Sequence, residues 1–273
     1  MAALTVFSFL FLSLITPFTS AHGRIAYILA DGKNYTGFDP ALAVANITTP
    51  PLAAWSADNL GNIYVVPSLF NTTNITCHLN AEPGQAYVSI ESGHNVTLVW
   101  NTWPTSHVGP VLTYLAACNG SCTTVDKTKL EFVKIDELGW LNSSDPRGIQ
   151  LGGTWASDVL IADDFTWTVQ IPANLQPGGY VLRHEIIALH VANITNEAQA
   201  YPQCVNLMVG TGEASGEAEG ITGGEPAPDF YSMYGPGILV DVHHKLTGYS
   251  IPGPKMWSRA KHLRQAAQAM PSG

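Results

Sequence analysis

The chain has 273 residues, with 12 Lys plus Arg against 21 Asp plus Glu, so its formal charge is −9 with histidines neutral. That balance argues against nucleic acid as a partner. Charged residues make up only 12% of the chain while glycine contributes 25 positions and proline 18, which excludes long heptad arrays and a disordered polyelectrolyte and suits a turn-rich, strand-built domain. Apolar residues at 46% can supply a sizeable core, and the length allows one large β domain or two small ones.

In chain order, Met1 to Ala21 carries no charged side chain and holds an apolar run from Val6 to Ile15, broken by Ser8 and Ser13, with small residues at Thr19 and Ala21. The run is too short to span a bilayer and reads as a secretory signal cleaved after Ala21, which leaves His22 as the new N-terminus. No later stretch is apolar for the ~18 to 20 residues a membrane helix needs, so a secreted protein without a membrane partner is expected. Eight Asn-x-Ser/Thr sequons, at Asn34, Asn46, Asn71, Asn74, Asn95, Asn119, Asn142 and Asn193, agree with a glycosylating export pathway. In that compartment Cys77, Cys118, Cys122 and Cys204 should form two disulfides, for which three connectivities are open. The favoured pairing joins Cys118 to Cys122, closing the tight CNGSC turn, and Cys77 to Cys204, tying distant segments together.

Segments 87–91, 95–100, 165–171, 180–190 and 204–209 are rich in β-branched and aromatic residues and separated by Gly, Pro and Asn clusters such as AEPG and LQPGG. They predict antiparallel strands joined by surface loops, in a twisted β-sandwich. After Val209, TGEASGEAEGITGGEPAPD has neither helical nor strand periodicity and reads as a long loop, with order returning at Gly237 to Val242 and at YSIPGP. From Lys255 the charge inverts, with Lys255, Arg259, Lys261 and Arg264 and no acid. Met256, Ala260, Leu263, Ala267 and Met270 recur at helical spacing, but so short a helix is marginal in water and an unstructured basic tail is expected, suited to an acidic surface or wall polymer. The organisation expected is a signal peptide at 1–21, one sandwich domain at 22–254 and the tail at 255–273.

Cleavage before His22 has a chemical consequence, because that residue then offers an α-amine and an imidazole to one metal. Amine, Cα, Cβ, Cγ, Nδ1 and metal close a six-membered ring, and with an unperturbed amine pKa of about 7.7 to 8 the metal can displace the proton near neutrality. A third nitrogen would complete a near-planar set that selects Cu(II). His107, in the loop WPTSHVGP whose proline and glycine residues restrict the backbone, is the candidate for it, although an interior histidine is more often structural on spacing alone.

His22-Gly23 behind the cleavage site, WPTSHVGPVLTYLAAC, RHEIIALHVA, AQAYPQCVNL and YSIPGP together resemble the auxiliary activity family 9 lytic polysaccharide monooxygenases of fungal type, in order from His22 to about Pro254. The resemblance implies an all-β, immunoglobulin/fibronectin-III-like antiparallel β-sandwich with long loops and short helices. It also implies a single copper ion, Cu(II)/Cu(I), held by His22 and His107 with Tyr201 at the axial position. Gln199 and His190 match the positions that donate hydrogen bonds beside the metal, so His190, Gln199 and Tyr201 are the expected catalytic set. Positions two apart in a strand share a face, which lets Gln199 and Tyr201 project towards one site. Tyr249 matches a surface aromatic that would stack on sugar rings.

The implied activity is oxidative cleavage of crystalline or soluble β-1,4-glucan, cellulose above all, by hydroxylation at C1 or C4 using O2 or H2O2. An external electron donor, either a small reductant or a secreted redox enzyme, is then required, and a monomer is expected. His184 is read as structural, and His78, His94, His243, His244 and His262 are unassigned. His243 and His244 would point to opposite faces of a strand, which makes them poor joint ligands. Two rivals come from other classes. A hydrolase could use Glu185 or the pair Asp163 and Asp164, although Glu185 can instead pair with Arg183. A non-catalytic copper-binding or carbohydrate-binding sandwich would need no oxygen-directed donors at all.

Overall fold

The computed structural model describes residues 23–145, 147–212, 217–263 and 265. His22 and the whole signal segment lie outside the described residues, as do Ala267 and Met270 of the tail. Two sheets face each other. The first is built from β1 (Ile25–Ala30), β2 (Lys33–Thr36), β4 (Asn95–Trp100) and β9 (Thr166–Gln170), in the order β2-β1-β4-β9. The second runs β13 (Glu225–Pro226), β6 (Glu131–Leu138), β5 (Val111–Ala117), β10 (Gly178–Ala188), β12 (Gln203–Gly210) and β3 (Val88–Glu91), with the short β11 (Gln199–Ala200) pairing to the end of β10. All neighbours are antiparallel except β12 and β3, which run parallel with Leu207 opposite Val88. A small separate hairpin pairs β7 (Trp140–Asn142) with β8 (Thr154–Trp155), and among the described residues the short α-helices α1 (Pro40–Val44), α2 (Asn74–Cys77) and α3 (Ala156–Ala162) sit in the connections. The expected all-β sandwich with long loops and short helices is what forms.

Side-chain alternation explains the layers. In β4 the even positions Val96, Leu98 and Trp100 are buried while Asn95, Thr97 and Val99 are not, and in β9 Trp167 and Val169 face the same interior. β10 is buried on both faces. Its Leu182, Ile186 and Ala188 enter the core between the sheets, whereas Val181, Arg183, Glu185 and Ile187 lie on the other face, under the long connections. That second core contains Trp55, Phe70, Ile75, Tyr114, Phe132 and Phe230. A buried ion pair sits within it: Arg183 Nη2 donates to Glu185 Oε2 at 2.9 Å, Arg183 Nη1 bonds Oε1, and Nη2 also donates to the Ile75 carbonyl at 2.8 Å. Removing one partner of such a pair typically costs about 3–5 kcal/mol, because the other charge is left buried alone.

Both disulfides pair as expected from the sequence. Cys77–Cys204 ties α2 to β12 across 127 residues, a closure worth about 5 kcal/mol in chain-entropy terms, whereas Cys118–Cys122 closes a short turn beside β5.

The described part of the basic tail differs from the unstructured segment expected. It forms no helix, but packs on the sandwich: Met256 bridges to Lys134, and Trp257 N donates to the Lys134 carbonyl at 2.8 Å. Further on, His262 Nδ1 lies 2.7 Å from Asp136 Oδ1, and the Gln265 carboxamide bonds both the N–H and the C=O of Thr168, at 3.1 and 2.9 Å. Thr168 lies in β9, an edge strand, so one side-chain amide satisfies backbone groups that a neighbouring strand would otherwise take.

Two buried histidines make stability depend on pH. Burial, helped by the neighbouring Arg183 charge, pushes the pKa of His184 down to about 3, and its Nδ1 lies 2.8 Å from Thr113 Oγ1 in the inter-sheet core. Burial likewise pushes His78 down to about 4, against the opposing pull of the Ile63 carbonyl and Asp58. The unfolded chain takes up these protons below pH ~6.5 and the folded chain does not, so stability is complete above that pH and lost as pH falls towards 4. Urea unfolding at pH 7 and pH 4 should show the native chain losing about 3 kcal/mol more than a His184→Gln variant over that interval. Parallel losses in the two proteins would contradict the assignment.

Candidate metal site

The loop after β4 presents His107, and a set of short-range interactions fixes it. Trp103 Nε1 donates to the His107 carbonyl at 2.8 Å, and His107 N donates to the Pro104 carbonyl at 3.0 Å, closing a turn. The Trp103 ring meets Trp100 edge-on at 5.4 Å, which roots the loop in the core. Downstream, a Cβ on Gly109 would fall 1.8 Å from the Ile187 carbonyl oxygen, so only glycine lets the loop lie against β10. Ser157 in the first turn of α3 clamps the same glycine, donating N–H to its carbonyl at 3.2 Å and accepting its N–H at Oγ at 3.1 Å. Ser106 Oγ lies 3.1 Å from His107 Nδ1, so Nε2 is the nitrogen that would meet a metal.

The far end of β10 brings the other expected residues to this loop. Leu189 N donates to the Val108 carbonyl at 2.8 Å, and the next residue, His190, stacks its ring on His107 with centroids 4.0 Å apart and planes 29° off parallel. On the opposite side of the strand end Gln199 pairs with Ala188, and Tyr201 N donates to the Ile186 carbonyl at 3.0 Å. Gln199 and Tyr201 are both buried and share a face, as their spacing predicts: Tyr201 Oη donates to Gln199 Oε1 at 2.7 Å. That bond orients the carboxamide, whose remaining donor is Nε2. The Tyr201 ring stands edge-on to Trp103 at 5.2 Å and tilted to Tyr64 at 6.0 Å. Burial, and to a lesser degree Tyr64, pushes its pKa far up, so it is a neutral phenol and at most a weak donor to a cation.

His22 lies outside the described residues, but Gly23 does not. A Cβ at Gly23 would fall 1.8 Å from the Thr102 carbonyl oxygen, a cradle that only glycine enters, and Arg24 is held by backbone N–H donation to Asn101 Oδ1 at 2.8 Å. The start of β1 is thereby fixed against the segment that leads into Trp103 and His107. Among the described residues no three His, Cys, Asp or Glu side chains converge on one point, and His107 supplies one of the three nitrogens of the expected set.

Tyr249 is half-buried. Its Oη donates to the Gly237 carbonyl at 2.8 Å and its ring meets Trp155 edge-on at 4.8 Å, next to the α3 turn that clamps Gly109. The ring is thus rigidly mounted, with its hydroxyl turned into the protein. His184 is structural, as read. His243 and His244 are exposed and share Asp241, with the His243 ring 3.1 Å and the His244 ring 3.8 Å from its carboxylate. Glu185, one of the acids offered for a hydrolase, is sealed in the second core by Arg183 and Tyr231 and cannot face a substrate. Trp103, Ser106 and Tyr64 were not singled out from sequence. The first two belong to the WPTSH motif itself, whereas Tyr64 sits in a connection with no local signal.

With this geometry in place, comparisons with known proteins converge. The profile of Auxiliary Activity family 9 (formerly GH61) matches residues 22–249. The chain is 45% identical over 244 residues to AA9 family lytic polysaccharide monooxygenase F of Malbranchea cinnamomea, covering 89% of this chain and 94% of that protein. It is 46% identical over 239 residues to AA9 family lytic polysaccharide monooxygenase A of Thermoascus aurantiacus, covering 87% and 100%. Its fold superposes on the extended catalytic domain of LPMO9A from H. jecorina with a TM-score of 0.79 at 40% identity, over 92% of this chain and 95% of that one.

The cradle at Gly23 is open to test. Gly23→Ala should cost at least about 2 kcal/mol in urea unfolding, because backbone must move to admit the methyl. Gly248→Ala, where an added Cβ meets nothing within 4 Å, should stay within about 0.5 kcal/mol of the native chain. Equal effects at the two positions would contradict the close packing of the β1 start.

Proposed function

This chain belongs to Auxiliary Activity family 9, the copper-dependent lytic polysaccharide monooxygenases, and we propose that its copper is held by the amine and imidazole of His22 and the imidazole of His107. It is a polysaccharide-oxidising monooxygenase. We infer further that the substrate is β-1,4-glucan, cellulose above all, hydroxylated at C1 or C4, and that the chain is exported, loses residues 1–21 and acts as a monomer fed by an external electron donor.

The observation that carries the copper assignment is the convergence on one loop of a clamped imidazole and the start of β1. Gly23 packs on Thr102, and the residue before it is one Cα step, about 3.8 Å, away. An all-nitrogen set of amine and two imidazoles, with a neutral phenol beside it, suits copper over hard cations that prefer carboxylates. When bound, the copper supplies the electron-transfer and oxygen chemistry.

The chain's own residues do the rest. Ser106, Pro104 and Trp103 fix the orientation of the His107 ring, and the stacked His190 ring restricts its tilt. Tyr201 holds Gln199 by its oxygen, which commits the amide N–H as the group able to donate towards a reacting oxygen. Tyr249, mounted on Trp155, offers a ring against which a pyranose face can stack.

Mass spectrometry of the soluble products from cellulose, incubated with the copper-loaded chain beginning at His22 and a reductant, should reveal aldonic acids or C4-ketosugars. Gln199→Ala should lower the yield about 10-fold with copper affinity nearly unchanged, and Tyr201→Phe should keep copper bound with a modest change in turnover. His107→Ala should weaken copper binding by more than about 100-fold. Only hydrolytic products, or tight copper binding by His107→Ala, would overturn the reading.

A further inference from the structure

β2 is an edge strand of the four-stranded sheet, and its Asn34 stands directly opposite Leu29 of β1. Directly opposed residues of an antiparallel pair share a face, and Leu29 is 41% exposed, so Asn34 projects outward from the sandwich. Thr36, two residues on, shares that face and pairs with Tyr27, which is 47% exposed. Tyr27 is thus the diagonal neighbour of Asn34, within reach of a group attached to it.

A cavity of about 600 Å³ runs beside this edge, large enough for a disaccharide-sized group. Tyr27, Asn34 and Thr36 line it from the sheet, and Leu42, Ile47 and Pro50 line it from the connection after β2. Every residue from 43 to 51 in that connection is exposed, Ile47 by 54%, so the groove is open to water along that side. Its charged lining residues, Arg24 and Asp39, are paired with each other. The surface left to a ligand is therefore neutral.

Asn34-Tyr35-Thr36 is an Asn-x-Thr acceptor sequence. We propose that Asn34 carries an N-linked oligosaccharide whose first N-acetylglucosamine rings lie in this groove, the innermost ring against Tyr27. The transfer forms a bond from Asn34 Nδ2 to the anomeric carbon of the sugar and breaks that carbon's bond to the pyrophosphate of a polyprenyl-linked oligosaccharide donor. The amide nitrogen gives up one proton and polyprenyl pyrophosphate leaves. N-acetylglucosamine suits the surface, because it is uncharged, lays an apolar ring face on an aromatic side chain and keeps its hydroxyls in water along the open side. A free sugar would be held weakly in so open a groove. Attachment at its wall changes that, since a short tether gives an effective concentration on the order of millimolar. Asn46 in the facing connection and Asn95 in the central strand β4 are also exposed acceptors, but both lie outside the lining of the groove. The proposal rests on the export reading above, because the donor is met in the secretory pathway.

The test uses the full chain produced in yeast. Protein from the medium is sequenced from its N-terminus, treated with peptide N-glycosidase in heavy-oxygen water and mapped by mass spectrometry, with residue 34 expected as heavy-oxygen aspartate in most molecules. Hydroxyl-radical footprinting then compares three proteins: the glycosylated chain, the same chain trimmed by endoglycosidase to one N-acetylglucosamine, and Asn34→Gln, which keeps every other acceptor. A ring laid on one face covers about half of a half-exposed side chain, so Tyr27 should label about twofold faster in Asn34→Gln than in the glycosylated chain. Ile47 should also label faster there. The trimmed chain should keep the protection of Tyr27, and Tyr234, 70% exposed in the connection packed on the larger sheet, should label alike in all three. A secreted chain that begins at His22 with Asn34 unmodified would overturn the proposal, as would equal labelling of Tyr27 in the glycosylated chain and Asn34→Gln. Loss of Tyr27 protection on trimming would overturn the seat of the innermost ring. Retention in the cell with residues 1–21 attached would overturn the export reading, and the proposal with it.

Discussion

The far end of β10 is the constraint on which the site depends. Where this strand stops pairing with β5 and β12, its last backbone groups are taken by other segments: Leu189 N by the Val108 carbonyl, Ala188 by Gln199, and the Ile186 carbonyl by Tyr201 N. Three bonds in one short stretch therefore set the positions of His107, His190, Gln199 and Tyr201 together. β10 can impose this because it is immobilised on both faces, by the inter-sheet core on one side and by the Arg183–Glu185 pair with its aromatic surround on the other. A strand anchored on one face only would tolerate a register slip, and a slip of one residue would turn His190 away from His107.

The second core has a related consequence. The sandwich carries long connections, and each would expose backbone groups and apolar surface unless it packed on something. Phe70, Phe230 and Tyr231 pack against the outer face of the larger sheet, with Phe230 stacked on Tyr114 at 4.6 Å, and Cys77–Cys204 ties α2 to the same face. The connections become rigid extensions of the sheet. That rigidity lets loop residues serve as a site, since a ligand imidazole or an orienting amide is useful only if its supports hold it in place.

How much of this was legible in the sequence follows from which residues kept their period. β4, β9 and β12 announce themselves through alternation or β-branched density, and their extents agree with expectation within a residue or two. β5, VLTYLAA, is buried on both faces and reads as a continuous apolar run that carries no strand-specific rhythm. β6 hides for the opposite reason. Its Lys134 and Asp136 are each 1% exposed, the lysine satisfied by Glu137 and the Pro252 carbonyl and the aspartate by Trp167 Nε1 and His262. Charged residues at interior positions break the pattern, and their partners come from distant parts of the chain. α3 is short, and its signal is Asp158 accepting from Trp155 N, a cap that means little before the neighbouring strands are known. For the site, the motifs around His107 and Tyr201 carried the identities through resemblance. The ring stack of His107 on His190 and the glycine cradle at Gly23 depend on contacts between segments far apart in sequence, and no local pattern encodes them.

The central claim is that a free backbone amine joins two imidazoles around one cupric ion. Electron paramagnetic resonance of the copper-loaded chain beginning at His22 tests it most directly, beside the same chain carrying one additional residue ahead of His22. The account predicts nitrogen superhyperfine structure from three equatorial nitrogens in the first protein and its loss or rearrangement in the second, where the amine has become an amide. Identical spectra from the two proteins would contradict it.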